Sequence, residues 1–140
     1  MYKAILHATD LAKDHFALCQ KAQAIAKCFD ADFYLMHVVT LPSALQLAQG
    51  LGFAEIEPLT PMIKDAESVL RILGESLKIP TKHLFVEAGP ITELIFNKIK
   101  TLKCELLIIG QHIPTFLDLG LNNISQSIVH DSQCDVLTVY

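Results

Sequence analysis

Six histidines, four cysteines and a scatter of acids and hydroxyls hold whatever chemistry this 140-residue chain can perform. The histidines are His7, His15, His37, His83, His112 and His130. No two of them stand at the i, i+4 spacing that sets paired zinc ligands on one helix face, so no metal site is expected. His7 and His37 fall inside apolar runs, where a histidine hydrogen-bonded within the core is the expectation. His112 follows Gly110 at the end of another apolar run, where a crevice is expected; a histidine is the side chain type suited to act near neutral pH, and a structural role there weighs equally. Cys19, Cys28, Cys104 and Cys134 form no C-x-x-C pair and read as separate thiols, several of them buried. Ser125 and Ser127 precede His130, but no G-x-S-x-G elbow accompanies them, and they read as the polar surface of a helix. No catalytic machinery is expected.

The elements that must position these residues follow from periodicity. Tyr2–Thr9 is a short apolar run ending at Asp10, read as a buried strand. Leu18, Ala22, Ile25, Ala26 and Phe29 recur at helical spacing over Asp14–Phe29, with Asp14 as N-cap. Asp32–Val39 reads as a second strand covered on both faces. Thr40–Thr60 is irregular, with a short helix over Ser43–Gln49; Ser43–Phe53 reads either as a flap or contact surface or as a plain connector. Thr60-Pro61 reads as an N-cap and first helical residue, and Met62, Ala66, Val69, Leu70, Leu73 and Leu77 give the stripe of a helix that Pro80 ends. His83–Glu87 is a third strand; a helix marked by Ile91, Leu94, Ile95, Ile99 and Leu102 follows Gly89-Pro90. Leu106–Ile109 is a fourth strand, Gln111–Leu121 a loop, Ile124, Ile128 and Val129 mark a last helix, and Val136–Tyr140 is a fifth strand.

Strands alternating with helices predict a single-domain α/β fold, an open parallel sheet with helices on both faces. In such sheets ligands sit beyond the carboxyl ends of the strands at the switch point, which draws attention to Thr9-Asp10 and Gly110. Bulk properties narrow the class. Hydrophobic residues make up 51% and charged residues 19%, enough for a core and against disorder. A net charge of −4 argues against a nucleic-acid partner. No apolar run approaches the roughly 20 residues of a membrane helix, and MYKAILHATD lacks a signal-peptide pattern. A cytoplasmic protein with no membrane partner is expected.

The segments YKAILHATDLAKD, ALCQKAQAIAKCFDADFYLMHVV, EAGPITELI, CELLIIGQH and SIVHDSQCDVLTVY stand in the order and spacing of one family. Through them the chain resembles the universal stress protein family over residues 1–140. The resemblance implies a Rossmann-like five-stranded sheet of order 3-2-1-4-5, a dimer, and a stress-response role. Some members bind ATP through G-x2-G-x9-G-[S/T] after the fourth strand; others, of the universal stress protein A type, lack that motif. Here Gly110 matches the first glycine, Ile113 stands at the second, and Asn123 and Ile124 occupy the last two places. Aligning the last helix instead sets Asn122-Asn123 there, and Gly120 fits neither spacing. Were a nucleotide bound, the resemblance implies contacts from Asp10, Val38, Gly110, His112, Asn122 and Asn123.

Physical chemistry weighs against that use. A phosphate loop needs backbone N–H groups that approach closely, hence residues able to take φ > 0. Ile113 is β-branched and Pro114 has no N–H. After Lys103 the chain carries no Lys or Arg, only Glu105, Asp118, Asp131 and Asp135. Lys13 or a bound metal would have to supply the countercharge. The expectation is a non-enzymatic module without cofactor, similar to universal stress protein A, acting on protein partners the sequence does not name. The alternative is an ATP-dependent switch, with or without Mg. VLTVY, an outer strand with no charge or proline, is expected to pair with its mate, making a homodimer through residues 136–140.

Overall fold

A computed structural model describes residues 1–11, 14–40, 51–52, 59–110 and 133–140. Five short apolar runs form β1 (Ala4–Ala8), β2 (Asp32–Val39), β3 (Leu84–Ala88), β4 (Leu106–Gly110) and β5 (Asp135–Val139). Among the described residues three helices join β1 to β4, α1 (His15–Cys28), α2 (Leu59–Leu77) and α3 (Ile91–Leu102), with one 3-10 turn over Thr81–His83. All pairings are parallel, in the order β3-β2-β1-β4-β5. The α/β class, the sheet order and the helices on both faces are those expected from the sequence.

Strand side chains alternate between faces, so each strand feeds two cores. On one face Ile5, Leu35 and Ile108 meet Leu18, Cys19, Ala22 and Ala26 of α1 and Leu70, Leu73 and Leu77 of α2. On the other, Leu6, Met36, Leu107 and Ile109 meet Ile95 and Ile99 of α3. Each large aliphatic side chain so buried contributes about 1.5–3 kcal/mol. The central strands β1 and β4 lie between these layers and are buried along their length except at the last residue, which is half-buried.

Boundaries shift where local chemistry differs from the sequence signal. The first strand is shorter than Tyr2–Thr9, and the third, fourth and fifth move or extend by one residue. Asp14 occupies the N-cap position of α1, but its side chain makes no capping hydrogen bond. Its backbone, at φ −101° and ψ 14°, is outside the extended region from which a cap side chain folds back over the first turn. Helix α2 begins at Leu59, before the expected Thr60 cap. Pro61 is accommodated because first-turn N–H groups have no intrahelical partner.

All three helices close without glycine. Asp30, Lys78 and Lys103 take φ of +52°, +58° and +55°. The next residues then donate back across the turn: Ala31 N to Ala26 O at 3.0 Å, Ile79 N to Gly74 O at 2.8 Å, and Cys104 N to Ile99 O at 3.0 Å. These bonds occupy the last carbonyls and offset the left-handed conformation. The helix expected over 43–49, the loop over 111–121 and the last helix over 124–129 lie outside the described residues.

Candidate functional site

The strand order reverses between β1 and β4, so the sheet's switch point lies at their carboxyl ends. Ala8 pairs with Met36 on one side and Ile109 on the other. Asp10, Val38 and Gly110 therefore stand just beyond, or at, the ends of three adjacent strands. These three positions lie at the same end of the sheet. His112, Asn122 and Asn123, expected at the same mouth, lie outside the described residues, as do Lys13, Ile113, Pro114, Gly120, Ser125, Ser127 and His130.

Polar groups around this mouth bond mainly to one another. The Thr9 N–H donates to Met36 O at 2.9 Å, and the Leu11 N–H donates to Thr9 Oγ1 at 3.1 Å. That second bond supports Leu11 at φ +56°, a conformation disfavoured for a leucine. His37 Nδ1 donates to Thr9 O at 2.8 Å. A carbonyl only accepts, so the proton of neutral His37 sits on Nδ1. One stitched turn, Thr9 to Leu11, thus links β1 to β2.

His7 makes the equivalent link to β4, with Nδ1 donating to Ile108 O at 2.9 Å. Its ring is buried, and Nε2 has no hydrogen-bond partner among the described residues. Burial drives its pKa down to about 4, against smaller upward pulls from the Ile108 bond and the Asp10 charge. His7 takes the expected core role, whereas His37, also expected in the core, is hydrogen-bonded but only half-buried because it sits near the carboxyl end of β2. His83, expected inside a strand, sits in the 3-10 turn and follows the same rule, its Nδ1 donating to Phe33 O at 3.0 Å.

Gly110 has a packing role independent of any ligand. A Cβ there would meet Leu18 Cδ1 at 2.8 Å, closer than carbon atoms approach. The missing side chain lets α1 lie against the end of β4. Val38 packs its side chain on the α3 face of the sheet. Asp10 is exposed, and its charge acts on both His7 and Cys19. The Cys19 thiol is pushed up to about 12, chiefly by burial, opposed by its hydrogen bond with Thr9 and reinforced by Asp10. Burial likewise pushes Cys104 up to about 12. Neither supplies a thiolate near neutral pH.

Sequence reasoning singled out Thr9-Asp10 and Gly110 but missed the part that Leu18 and Cys19 play at the same corner. Among the described residues, no group of three or more His, Cys, Asp or Glu is placed to hold a metal ion. No helix among them is long and apolar enough to cross a membrane.

Comparison with known proteins adds the following. The model of the universal stress protein family matches residues 1–140. Universal stress protein A homolog 2 of Coxiella burnetii is 30% identical over 139 residues, 99% of this chain and 94% of that protein. The structure of universal stress protein UspA from Lactobacillus plantarum superposes with a TM-score of 0.75 at 17% identity, covering 99% of this chain and 98% of that one. A universal stress protein solved in complex with cAMP has a TM-score of 0.69 at 16% identity, covering 99% and 97%.

Proposed function

The chain belongs to the universal stress protein family, and on that premise we propose that it is a stress-response module working as a homodimer through protein contacts, with no nucleotide at the mouth of its sheet. The family's general role is in the stress response, and its members are generally regulatory rather than catalytic. The observation that carries the reading is the internal bonding of the mouth. His37, the Thr9 amide and the Leu11 amide all have partners within the protein. The segment beyond Lys103 has no cation to meet a polyphosphate. This agrees with a chain of the universal stress protein A type whose ATP motif is degenerate.

The dimer is assigned to β5. It is an outer strand of the sheet, and Leu137 and Tyr140 are exposed beside it. Beyond Asp135 at its start β5 carries no charge, and an apolar outer strand is a template for pairing. The two-fold arrangement joins β5 to its mate antiparallel. Light scattering at tens of micromolar should give the mass of two chains, and Leu137→Lys should return it to one; a wild-type monomer refutes the assignment. The thiol state of the four cysteines suits a reducing cytoplasm as the place of action.

A second reading is an adenine-nucleotide switch. It is favoured by the position of Asp10, Val38 and Gly110 at the switch point, and by the relative that binds cAMP. One experiment separates the two. The protein is purified without added nucleotide and denatured, and the supernatant is assayed for adenine nucleotide. The leading reading expects none; stoichiometric release, or micromolar affinity for ATP with magnesium by calorimetry, establishes the second.

A further inference from the structure

The opposite edge of the sheet carries charged groups that have no ion-pair partner among the described residues. β3 is outermost there and pairs with β2 alone. No described strand covers its other side, so a row of its N–H and C=O groups faces outward. An open groove of about 620 Å³ runs along this edge. Its floor is Leu84, Phe85, Val86 and Glu87. One wall is α2, which presents Lys64, Glu67, Ser68 and Arg71 from a single stripe; the other holds Lys98 of α3.

The charges are distributed unequally. Lys98 Nζ lies 3.4 Å from Glu87 Oε2 and 4.3 Å from the centre of the Phe85 ring, so it is held in place. Lys64 and Arg71 are exposed and pair with nothing among the described residues. Glu67 is the one acid on their wall. The groove is thus locally positive on a chain of net charge −4.

We propose that this groove is a docking site for an extended acidic segment of a partner protein, which adds to β3 as a sixth strand. Main-chain bonds to the free edge hold such a segment, and its alternate side chains point to the two walls. Lys64 and Arg71 are seven residues apart on α2, about 10 Å along its axis. Acidic side chains two or four positions apart on a strand, about 7 or 13 Å, fall within reach of both cations. Apolar side chains at the intervening positions meet Phe85 and the stem of Lys98. The proposal rests on the reading that the protein works through protein contacts, and it names a surface for them distinct from β5.

The test is fluorescence anisotropy on the full chain with a labelled synthetic peptide of alternating Glu and Val. Saturable binding is expected, with the Lys-for-Glu peptide weaker by about tenfold or more. Lys64→Glu with Arg71→Glu should weaken binding about tenfold, with an unchanged melting temperature because both side chains are exposed. N-methylation of alternate peptide amides should abolish binding along one edge of the peptide and spare it along the other. Equal loss from both methylated forms, equal binding of the Lys peptide, or displacement by free glutamate at the same concentration would each overturn the proposal. So would a change of oligomeric state in the double variant, which would give the groove to a second copy of the chain. Nucleotide content is measured on the same preparation, so failure of the docking site and failure of the nucleotide-free reading are told apart.

Discussion

The mouth beside β1 and β4 and the groove along β3 are both polar, yet their polar groups are in opposite states. At the mouth, the Thr9 amide, the Leu11 amide and His37 are bonded within the protein, and Leu18 fills the space a side chain at Gly110 would take. Along β3, the outer backbone edge has no strand partner among the described residues, and Lys64 and Arg71 have no counter-ion. On the proposed reading, placement at the topological switch point is not by itself sufficient for a ligand site. Affinity comes from groups that gain partners on binding, and groups already paired gain little.

The comparison can be strained first at His7, where the largest effect is expected. Its folded pKa of about 4 lies below the ordinary 6.5. Between those values the unfolded chain takes up a proton that the folded protein refuses, so stability rises with pH across this window. The full contribution is present above about pH 6.5 and is lost as pH falls toward 4, a change of about 3 kcal/mol. Urea titrations at pH 7.5 and pH 4.5 measure it. His7→Phe should remove most of that difference; an unchanged pH dependence in the variant would mean that other groups produce it.

Gly110 provides the next test. If its role is to admit Leu18, Gly110→Ala should cost about 1 kcal/mol and Gly110→Val about 2–3, by overpacking. Adding Leu18→Ala should recover part of that loss, so a double-mutant cycle should show favourable coupling. Additive losses would show that the glycine serves something other than the helix contact.

Smaller effects are expected at the β3 edge, where the account holds that charge serves binding and not stability. Lys98→Met removes the Glu87 pair and the contact with Phe85 and should cost no more than about 1 kcal/mol. At the other end of the sheet, the Tyr2 hydroxyl donates to Asp135 Oδ2 at 2.7 Å on an exposed surface. Tyr2→Phe should change stability by no more than about 0.5 kcal/mol, by thermal unfolding. A larger loss at either position would make these edges structural.

Much of the sheet was legible in the sequence, because its strands are apolar runs punctuated by Asp10, Gly89-Pro90 and Gly110. Asp32–Val39 emerges with the bounds that its apolar run suggested. The helix ends were harder: Asp30, Lys78 and Lys103 adopt left-handed backbone that sequence rules assign to glycine. The interior of the mouth was harder still. His7 meets Ile108 across 101 positions and His37 meets Thr9 across 28, and only strand register brings such pairs together. Nothing local in the sequence marks Lys64, Ser68 and Arg71 as neighbours of a sheet edge, because only the strand order places β3 outermost beside them.

Amide-resolved NMR on the protein, titrated with ATP and magnesium, tests the central claim most directly. Resonances of Asp10, Val38 and Gly110 should stay in place up to millimolar nucleotide. Saturable displacement of those three signals at micromolar ATP would contradict the account.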